Sequence, residues 1–550
     1  MNNRVLKIHP SDNVIVALAD LPEGEKVSYE RDQFVIREKI QVKHKFAARD
    51  FAVGDPIYMY GVLVGKATEP IPTGGLLSTR NVKHSASEYA LGQRRLEWNI
   101  PDVSRWKSAT FMGYHRSDGK VGTANHWLVI PLVFCENRNV QVLKELLVDE
   151  LGYGANKDYN LDIKTLKQMF HSGASSEEIL SANIHLSPEQ TRAKRFFPNV
   201  DGIKFLTHEG GCGGTRQDSQ ALCALLAGYI THPNVAGATV LSLGCQHAQV
   251  HDLEAAIAQI SPNFDKPLYI YEQQKSRSEE SLISQALKQT FVGLSLANEL
   301  KRTPAPLSKL VVGLECGGSD GFSGISANPA IGHTADLVVA LGGTAVLSEF
   351  PELCGVEQEL SDRCVDEVTA EKFIRLMRTY DAAAVAVGSG FDMNPSPGNI
   401  RDGLITDAIK SAGAAKKGGT SPITDVLDYT EPITRPGLNL LCTPGNDVES
   451  TTALTGSGVT ITLFTTGLGT PTGNPISPVI KVSSNTVLAE RMPDIIDINA
   501  GTIISGEDTI ETKGAEILDY IIKVASGEII PHAVRLGQDD FIPWKRGISL

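Results

Sequence analysis

Glycines in this chain gather in short polar loops that directly follow β-like apolar runs. The run at 309–314 leads into the loop 315–329, which holds four glycines, and the runs at 203–206 and 238–243 lead into similar loops. Helical stretches such as 217–230 lie between these runs. Alternating strands and helices favour parallel sheets, whose ligand sites lie beyond the carboxyl ends of the strands. The pattern therefore predicts α/β architecture with functional side chains in the glycine-rich loops.

The chain is long enough for several domains, since it has 550 residues and domains commonly have about 150. Its first 80 or so residues consist of short β-prone runs separated by turn signals, with no helical period. We predict a multi-domain protein in which a small N-terminal all-β module is followed by two α/β regions. The predicted limits are 1–82 for the β module, 83–106 for a linker, and 107–259 and 260–550 for the α/β regions.

Further elements are predicted within the last region. Runs at 382–387 and 459–464 are predicted strands, because both are apolar and short. The stretch 512–526 has the apolar period of an amphipathic helix.

Charge and hydropathy restrict the partners. The formal net charge is −13, which disfavours binding to nucleic acid phosphates or anionic membrane surfaces. No apolar run approaches the length of a membrane span, and the N-terminal residues lack the apolar segment of a secretory signal. We therefore expect a cytoplasmic protein that binds a small molecule, and homo-oligomerisation stays open.

Common catalytic motifs are missing from the sequence. There is no P-loop, no dinucleotide-binding glycine motif after a strand and no zinc-protease helix motif. The eight cysteines include no pair separated by two residues, which disfavours zinc ribbons and thioredoxin-like redox sites. Kinases, dehydrogenases and zinc proteases are therefore disfavoured.

The glycine-rich loops carry a family resemblance. The 14-residue run 316–329 resembles the altronate/galactarate dehydratase family, and shorter matches occur at 118–123, 394–399 and 444–447. The likeness extends in order along nearly the whole chain. Two departures are Ala124, where the family usually has Arg, and Gln246, where it usually has an acidic residue.

The resemblance implies a fold and a reaction. It implies an SAF-type β-clip module at the N-terminus, in which residues 43–47 match a family motif, and two α/β regions after it. The implied activity is a hydro-lyase reaction that converts D-altronate to 2-dehydro-3-deoxy-D-gluconate and water in hexuronate (galacturonate) catabolism. The implied cofactor is a divalent metal, Fe²⁺ or Mn²⁺.

This reaction requires a base and an acid, because a proton leaves C2 and a hydroxyl leaves C3. We expect His44 and His208 as the acid/base candidates, since an ordinary imidazole titrates near neutral pH. A divalent cation on the carboxylate and 2-hydroxyl would stabilise the doubly charged intermediate. The predicted metal ligands are Cys212, Cys245, Cys316 and Asp320, and the predicted substrate-binding residues are Ser319, Asn328, Asn399, Asn446, Asp447 and Thr466.

Three alternatives remain at this stage. Cys212, Cys245 and Cys316 could hold an iron–sulfur cluster with one open iron in place of a mononuclear metal. Galactarate could replace altronate as the substrate. A non-catalytic protein that binds a sugar acid is the third alternative, although no helix-turn-helix signal or basic stretch points to a DNA-binding sensor.

Overall fold

The computed structural model describes residues 4–154, 161–185 and 194–549. Within these ranges, every helix is too short or too polar to span a lipid bilayer.

The N-terminal unit is all-β, as predicted. It contains a four-stranded antiparallel sheet in the order β1-β2-β5-β8, a three-stranded sheet β6-β7-β9 and the hairpin β3-β4. Its strands are β1 (Val5–Leu6), β2 (Val14–Ala17), β3 (Lys26–Tyr29), β4 (Asp32–Val35), β5 (Lys45–Ala47), β6 (Pro56–Met59), β7 (Val62–Ala67), β8 (Leu76–Leu77) and β9 (Val82–Lys83).

The second unit is α/β. A parallel sheet in the order β13-β12-β14-β15 forms its centre, and β11-β10-β16 forms a separate antiparallel sheet. Its strands are β10 (Thr110–His115), β11 (Val121–Gly122), β12 (His126–Pro131), β13 (Gly202–Phe205), β14 (Val235–Ser242), β15 (Leu268–Glu272) and β16 (Thr303–Pro306). Its helices are α1 (Asn137–Val148), α2 (Ile163–His171), α3 (Ser176–Leu180), α4 (Arg216–Thr231), α5 (Val250–Ile260) and α6 (Glu279–Ala297). The parallel sheet thus continues past residue 260, and the predicted domain limits stay a prediction.

The C-terminal unit is also α/β, with a seven-stranded parallel sheet. Its strands are β17 (Val311–Cys316), β18 (Thr344–Leu347), β19 (Ile423–Leu427), β20 (Gly437–Leu441), β21 (Ile461–Thr466), β22 (Val479–Ser483) and β23 (Ile498–Asn499). Its helices are α7 (Ala327–Ala340), α8 (Glu357–Arg363), α9 (Glu367–Ala386), α10 (Pro397–Arg401), α11 (Asp407–Ala414), α12 (Asp447–Ser457), α13 (Thr486–Arg491), α14 (Thr502–Ser505), α15 (Ile510–Ala525) and α16 (His532–Arg535).

One element of this unit differs from the prediction. The run 382–387 is helical rather than a strand, because it continues α9, whose N-terminus is capped by the Asp366 side chain. Alanine, the strongest helix former, dominates 382–386, and the two valines nearby do not outweigh it. The amphipathic helix predicted at 512–526 is confirmed as α15.

The order of strands in the large sheet is β19-β20-β18-β17-β21-β22-β23. From β17 the chain proceeds to β18 on one side, and it later returns to β21 on the other side. In open α/β sheets, ligands bind beyond the carboxyl ends of the strands at such a change of direction. The loop after β17, which begins at Cys316 and Gly317, lies at this point.

The N-terminal unit packs on the C-terminal unit through the largest hydrophobic core. Met59 and Tyr60 of the first unit share this core with Phe322 and Ile325 of the loop after β17. Burial of such side chains is worth about 1.5–3 kcal/mol each. The contact places the β module against the carboxyl end of the large sheet.

Helices α4 and α12 join the second and C-terminal units at a close crossing. Gly228 of α4 lies so near Gly456 of α12 that an added Cβ would overlap the Gly456 backbone. The Tyr229 hydroxyl of α4 donates a hydrogen bond of 3.2 Å to the carbonyl oxygen of Thr452. Glycine at 228 is therefore required for the two helices to approach.

Gly228→Ala should lower the free energy of unfolding by about 1–3 kcal/mol, because the extra methyl group forces the two helix backbones apart. Gly398→Ala is the matched control, since its nearest neighbour would be an ordinary 3.5 Å from the new Cβ. Chemical denaturation monitored by circular dichroism measures both variants. Equal stability of Gly228→Ala and the parent protein would contradict the close crossing.

Candidate active site

Three buried side chains with metal-ligating atoms converge beyond the carboxyl end of the large sheet. Cys316 ends β17, and Glu349 and Glu352 follow β18. One ligand atom from each lies within 4.8 Å of the other two. A thiol with two carboxylates is a donor set that suits a divalent transition metal. The candidate metal site therefore contains one predicted ligand, Cys316, and two glutamates.

Glu349 occupies an unusual position in this group. Its backbone has φ 64°, a left-handed conformation that costs a non-glycine residue free energy. Its Oε1 is buried and has no hydrogen-bond partner among the described residues. A strained backbone and an unpaired carboxylate oxygen in one buried residue are typical of functional sites. We conclude that the donor set fits a bound cation.

Two buried lysines pair with the two glutamates of the candidate metal site. The Lys417 ammonium lies 2.5 Å from Glu349 Oε2 and donates to Cys316 Sγ at 2.8 Å. The Lys410 ammonium pairs with Glu352 Oε1 at 2.5 Å. Pairing is necessary, since an isolated buried charge is strongly unfavourable. Each glutamate of the buried site thus has a lysine ammonium as its partner.

The pKa values of two buried glutamates in this cluster, Glu315 and Glu352, shift in opposite directions. Burial and the nearby Glu349 raise the pKa of Glu315 well above its ordinary value. Burial alone would raise the pKa of Glu352, but Lys410 and Lys417 lower it. Glu315 is thus a neutral acid, held by hydroxyl donors from Ser348 at 2.8 Å and Ser450 at 2.6 Å. Glu352 is a carboxylate and is available to a cation.

The thiol of Cys316 is neutral in the metal-free site. Burial, together with Glu349 and Glu352, raises its pKa well above the ordinary value. A bound transition metal reverses this effect, because a coordinating thiol loses its proton.

A loop of the N-terminal unit reaches this end of the sheet. The Lys43 ammonium bridges Asp320 Oδ2 at 2.9 Å and Asp402 Oδ1 at 3.0 Å. The buried Lys45 ammonium donates to the carbonyl oxygen of Gly403 at 2.7 Å. Burial lowers the pKa of Lys45 to about 7. Residues 43–45 therefore belong to the same site as the loop after β17.

His44 lies between these two lysines and is half-buried. Its Nδ1 is 3.3 Å from the carbonyl oxygen of Val42, which places the ring proton on Nδ1 and leaves a lone pair on Nε2. Burial, in the main, lowers its pKa below the ordinary value. At neutral pH the imidazole is therefore uncharged and has the form of a general base.

The Asp320 carboxylate binds side chains from two other segments of the chain. Its Oδ1 accepts a hydrogen bond from Ser484 Oγ at 2.7 Å, and its Oδ2 accepts one from Asn485 Nδ2 at 3.1 Å. With Lys43 also bound, this carboxylate holds the loop after β17 to β22 and to the N-terminal unit. Asp320 lies outside the group of Cys316, Glu349 and Glu352.

Asp447 and Lys481 are two further buried groups with shifted pKa values, and Asp447 lies against Gly317 of the loop after β17. Burial and the nearby Glu349 and Glu352 raise the pKa of Asp447 to about 7. Burial lowers the pKa of Lys481 to about 7, and its ammonium lies 3.3 Å from the centre of the Phe464 ring. Asp447 thus titrates near neutral pH, which suits an acid that donates a proton.

Several predicted substrate-binding residues bind the protein itself. Asn328 accepts from Thr465 Oγ1 at 2.7 Å and donates to the Gly413 carbonyl at 3.0 Å. Asn399 donates to the Ser319 carbonyl at 2.8 Å. Thr466 and Asn446 accept hydrogen bonds from backbone N–H groups, and Asn446 caps α12. These side chains hold the loops of the site in place, and their predicted contact with substrate stays a prediction.

The other predicted residues lie in the second unit. His208 and Cys212 follow β13, and Cys245 follows β14. His208 Nε2 donates to the Pro131 carbonyl at 2.7 Å, and its Nδ1 accepts from the Gly210 N–H at 3.0 Å. Burial lowers its pKa to about 4. Both ring nitrogens thus help to hold the loop, and the predicted role of His208 in proton transfer stays a prediction.

Sequence reasoning missed Glu349, Glu352, Lys410 and Lys417 as site residues. Glu349 and Glu352 come shortly after the apolar run 344–347. Polar side chains after an apolar run also identify the other loops of the site. The two glutamates were missed because no glycine marks their segment. Lys410 and Lys417 lie in helical segments, where the sequence gives no sign of burial.

Comparison with known proteins assigns the family. Residues 3–85 match the altronate/galactarate dehydratase SAF domain, and residues 113–298 match the second domain of D-galactarate dehydratase/altronate hydrolase. Residues 307–549 match the C-terminal domain of D-galactarate/altronate dehydratase. The chain belongs to the altronate/galactarate dehydratase family.

Individual relatives extend over nearly the whole chain. An altronate dehydratase of Escherichia coli is 34% identical over 95% of this chain and 95% of its own. An altronate dehydratase of Bacillus subtilis is 32% identical over 96% of each. A galactarate dehydratase (L-threo-forming) of Escherichia coli is 31% identical over 95% of this chain and 93% of its own.

Proposed function

We propose that this protein is a sugar-acid dehydratase, a hydro-lyase that converts D-altronate to 2-dehydro-3-deoxy-D-gluconate and water. The observation that carries the proposal is the buried group of Cys316, Glu349 and Glu352, at the sheet edge where Lys43 of the N-terminal unit pairs with Asp320. Support comes from the two altronate dehydratases, which match over nearly full length. The reaction would belong to hexuronate catabolism.

We propose Fe²⁺ or Mn²⁺ as the metal held by Cys316, Glu349 and Glu352. Mixed thiolate and carboxylate donors suit these ions better than Mg²⁺ or Ca²⁺, which prefer oxygen ligands alone. When bound, the cation supplies charge stabilisation to the substrate carboxylate as a second negative charge develops on it.

The protein side chains account for the proton transfers. Nε2 of His44 takes the C2 proton, because the neutral ring has its lone pair there. Asp447 donates a proton to the C3 hydroxyl, which leaves as water and breaks the C3–O bond. The resulting enol then tautomerises to the 2-keto acid. The Lys417 ammonium offsets the negative charge that develops during proton removal.

Galactarate is the second candidate substrate, since the galactarate dehydratase relative also covers nearly the whole chain. Galactarate carries a carboxylate at C6 where altronate carries a hydroxymethyl group, so a cationic side chain that meets C6 of the substrate would favour galactarate. The two identities, 34% and 31%, favour altronate only slightly.

An anaerobic assay with both substrates tests the proposal. The EDTA-treated protein should be inactive, and Fe²⁺ or Mn²⁺ should restore formation of a 2-keto-3-deoxy acid from altronate. Mass spectrometry and the periodate–thiobarbiturate reaction identify the product. Full turnover without metal would contradict the metal role, and binding of altronate with no product would favour the non-catalytic alternative.

A further inference from the structure

The exposed cysteines of this protein all lie at one edge of the second unit. Cys135, Cys212 and Cys245 are exposed, whereas the other five cysteines of the described residues are buried or half-buried. Each exposed cysteine follows a different strand of the same parallel sheet: β12, β13 and β14. Because these strands are parallel neighbours, their carboxyl ends bring the three cysteine loops to one edge.

Hydrogen bonds hold the three loops directly against one another. The N–H of Phe134, next to Cys135, donates to the Gly210 carbonyl at 3.0 Å. The N–H groups of His247 and Ala248, which follow Cys245, donate to the Gly211 carbonyl at 2.9 and 3.0 Å. Gly211 immediately precedes Cys212. The Cys212 loop is therefore hydrogen-bonded to both of the other cysteine loops, within three residues of each cysteine.

The glycines before Cys212 and Cys245 make this approach possible. Gly211 has φ 97° and Gly244 has φ 122°, conformations that side chains other than glycine rarely adopt. A Cβ on Gly211 would lie 2.5 Å from the Leu132 carbonyl oxygen, and one on Gly244 would lie 2.7 Å from Gln274 Oε1. The two cysteines are thus presented on tightly packed turns with defined backbone conformations.

Buried polar side chains support the same edge. Glu136, next to Cys135, is fully buried, and its Oε1 has no hydrogen-bond partner among the described residues. Buried Gln246, next to Cys245, accepts from the Gly244 N–H at 2.6 Å and donates to Ser242 Oγ at 2.6 Å. An unpaired buried carboxylate oxygen requires an explanation in a native structure. Glu136 is such a residue, and it adjoins Cys135 in the chain.

The three thiols do not lie close enough together to share a single ion. The three sulfurs are not all within 4.8 Å of one another, whereas the group of Cys316, Glu349 and Glu352 is. Ligands of one ion crowd around it, but a cluster distributes its cysteines over separate iron atoms. We propose that Cys135, Cys212 and Cys245 hold an iron–sulfur cluster in which one iron has no cysteine ligand.

This centre differs from the iron–sulfur alternative predicted from sequence. That alternative combined Cys212 and Cys245 with Cys316, which the structure places in the buried group of the C-terminal unit with Lys417. In the centre proposed here, Cys135 is the third cysteine ligand in place of Cys316. The inference does not rest on the proposed function, because it concerns a second site and its test does not measure turnover.

The test is anaerobic reconstitution of the full-length protein with ferrous iron and sulfide. We expect broad visible absorbance and about four acid-labile sulfide per chain, as for a [4Fe–4S] cluster, with about four iron for the cluster and one more where the Cys316 site is also loaded. The single variants Cys135→Ser, Cys212→Ser and Cys245→Ser should each lose most of the sulfide. Cys316→Ser is the matched control and should keep the sulfide and the visible spectrum.

Each other outcome contradicts the proposal. Reconstituted protein without acid-labile sulfide would overturn it, as would one bound zinc or iron ion without sulfide. Retention of the cluster in Cys135→Ser with loss in Cys316→Ser would restore the sequence-based set of ligands. Circular dichroism of each variant distinguishes loss of the cluster from loss of the fold.

Discussion

Glu349→Gln should abolish metal-dependent turnover and remove the metal from the active site. The substitution keeps the shape of the side chain but removes the negative charge that lies 2.5 Å from the Lys417 ammonium. Loss of a residue that only hydrogen-bonds to a metal ligand costs about 10–100-fold in activity or metal affinity. Loss of a ligand itself should therefore cost more than about 100-fold in kcat. Steady-state kinetics with added Fe²⁺ and metal analysis of the dialysed protein measure the two effects.

Glu315→Gln is the matched control for this prediction. Glu315 lies in the same buried cluster, but burial and Glu349 raise its pKa so that it is already neutral. Glutamine mimics a neutral carboxylic acid and can still accept the hydrogen bonds from Ser348 and Ser450. We expect the activity of this variant to stay within about tenfold of the parent, because Glu315 is a neighbour of the proposed ligands and not a ligand itself. Equal losses in the two variants would show that Glu349 has only a structural role.

His44→Gln should lower kcat by about 10²–10⁴-fold, the usual contribution of a general base, with little change in metal content. Glutamine can still donate to the Val42 carbonyl, so the loop of residues 43–45 should keep its position. His84→Gln is the control, because burial also lowers the pKa of His84, which accepts instead from the N–H of Ala408. Unchanged kcat in His44→Gln would contradict its role as the base.

The pH profile separates a proton-transfer role from a packing role. A base with a pKa below 6.5 is neutral and active above that value, and its activity falls when acidification protonates it. The kcat of the parent enzyme should therefore fall below about pH 6.5 as His44 is protonated, and fall again above about pH 7 as the Asp447 acid loses its proton. The residual activity of His44→Gln should lack this acidic limb. An identical acidic limb in both proteins would assign it to another group.

Much of the architecture follows from local signals in the sequence. Strands β12, β14, β17 and β21 coincide with apolar runs, and the loops that follow them carry the glycines and polar side chains expected at sheet edges. The residues Cys316 and His44 were identified because they lie in such loops or in a family motif. The run 382–387 shows the limit, since its apolar composition fits a strand until the preceding helix is taken into account.

The remaining parts of the site depend on contacts between distant segments. Lys43 meets Asp402 across 359 positions of sequence, and Lys417 meets Cys316 across 101. Burial alters the pKa of Lys45 and Asp447, and a sequence pattern does not determine burial at a single polar position. Cys135 was missed for a related reason: its significance arises only when β12 lies between β13 and β14.

Anomalous X-ray scattering from crystals of the manganese-loaded protein tests the central claim most directly. The account predicts an anomalous peak bonded to Cys316 Sγ and to carboxylate oxygens of Glu349 and Glu352, with the altronate carboxylate on the same ion after soaking. A protein that turns over altronate but shows no peak at these three residues, or binds altronate elsewhere, would contradict the account.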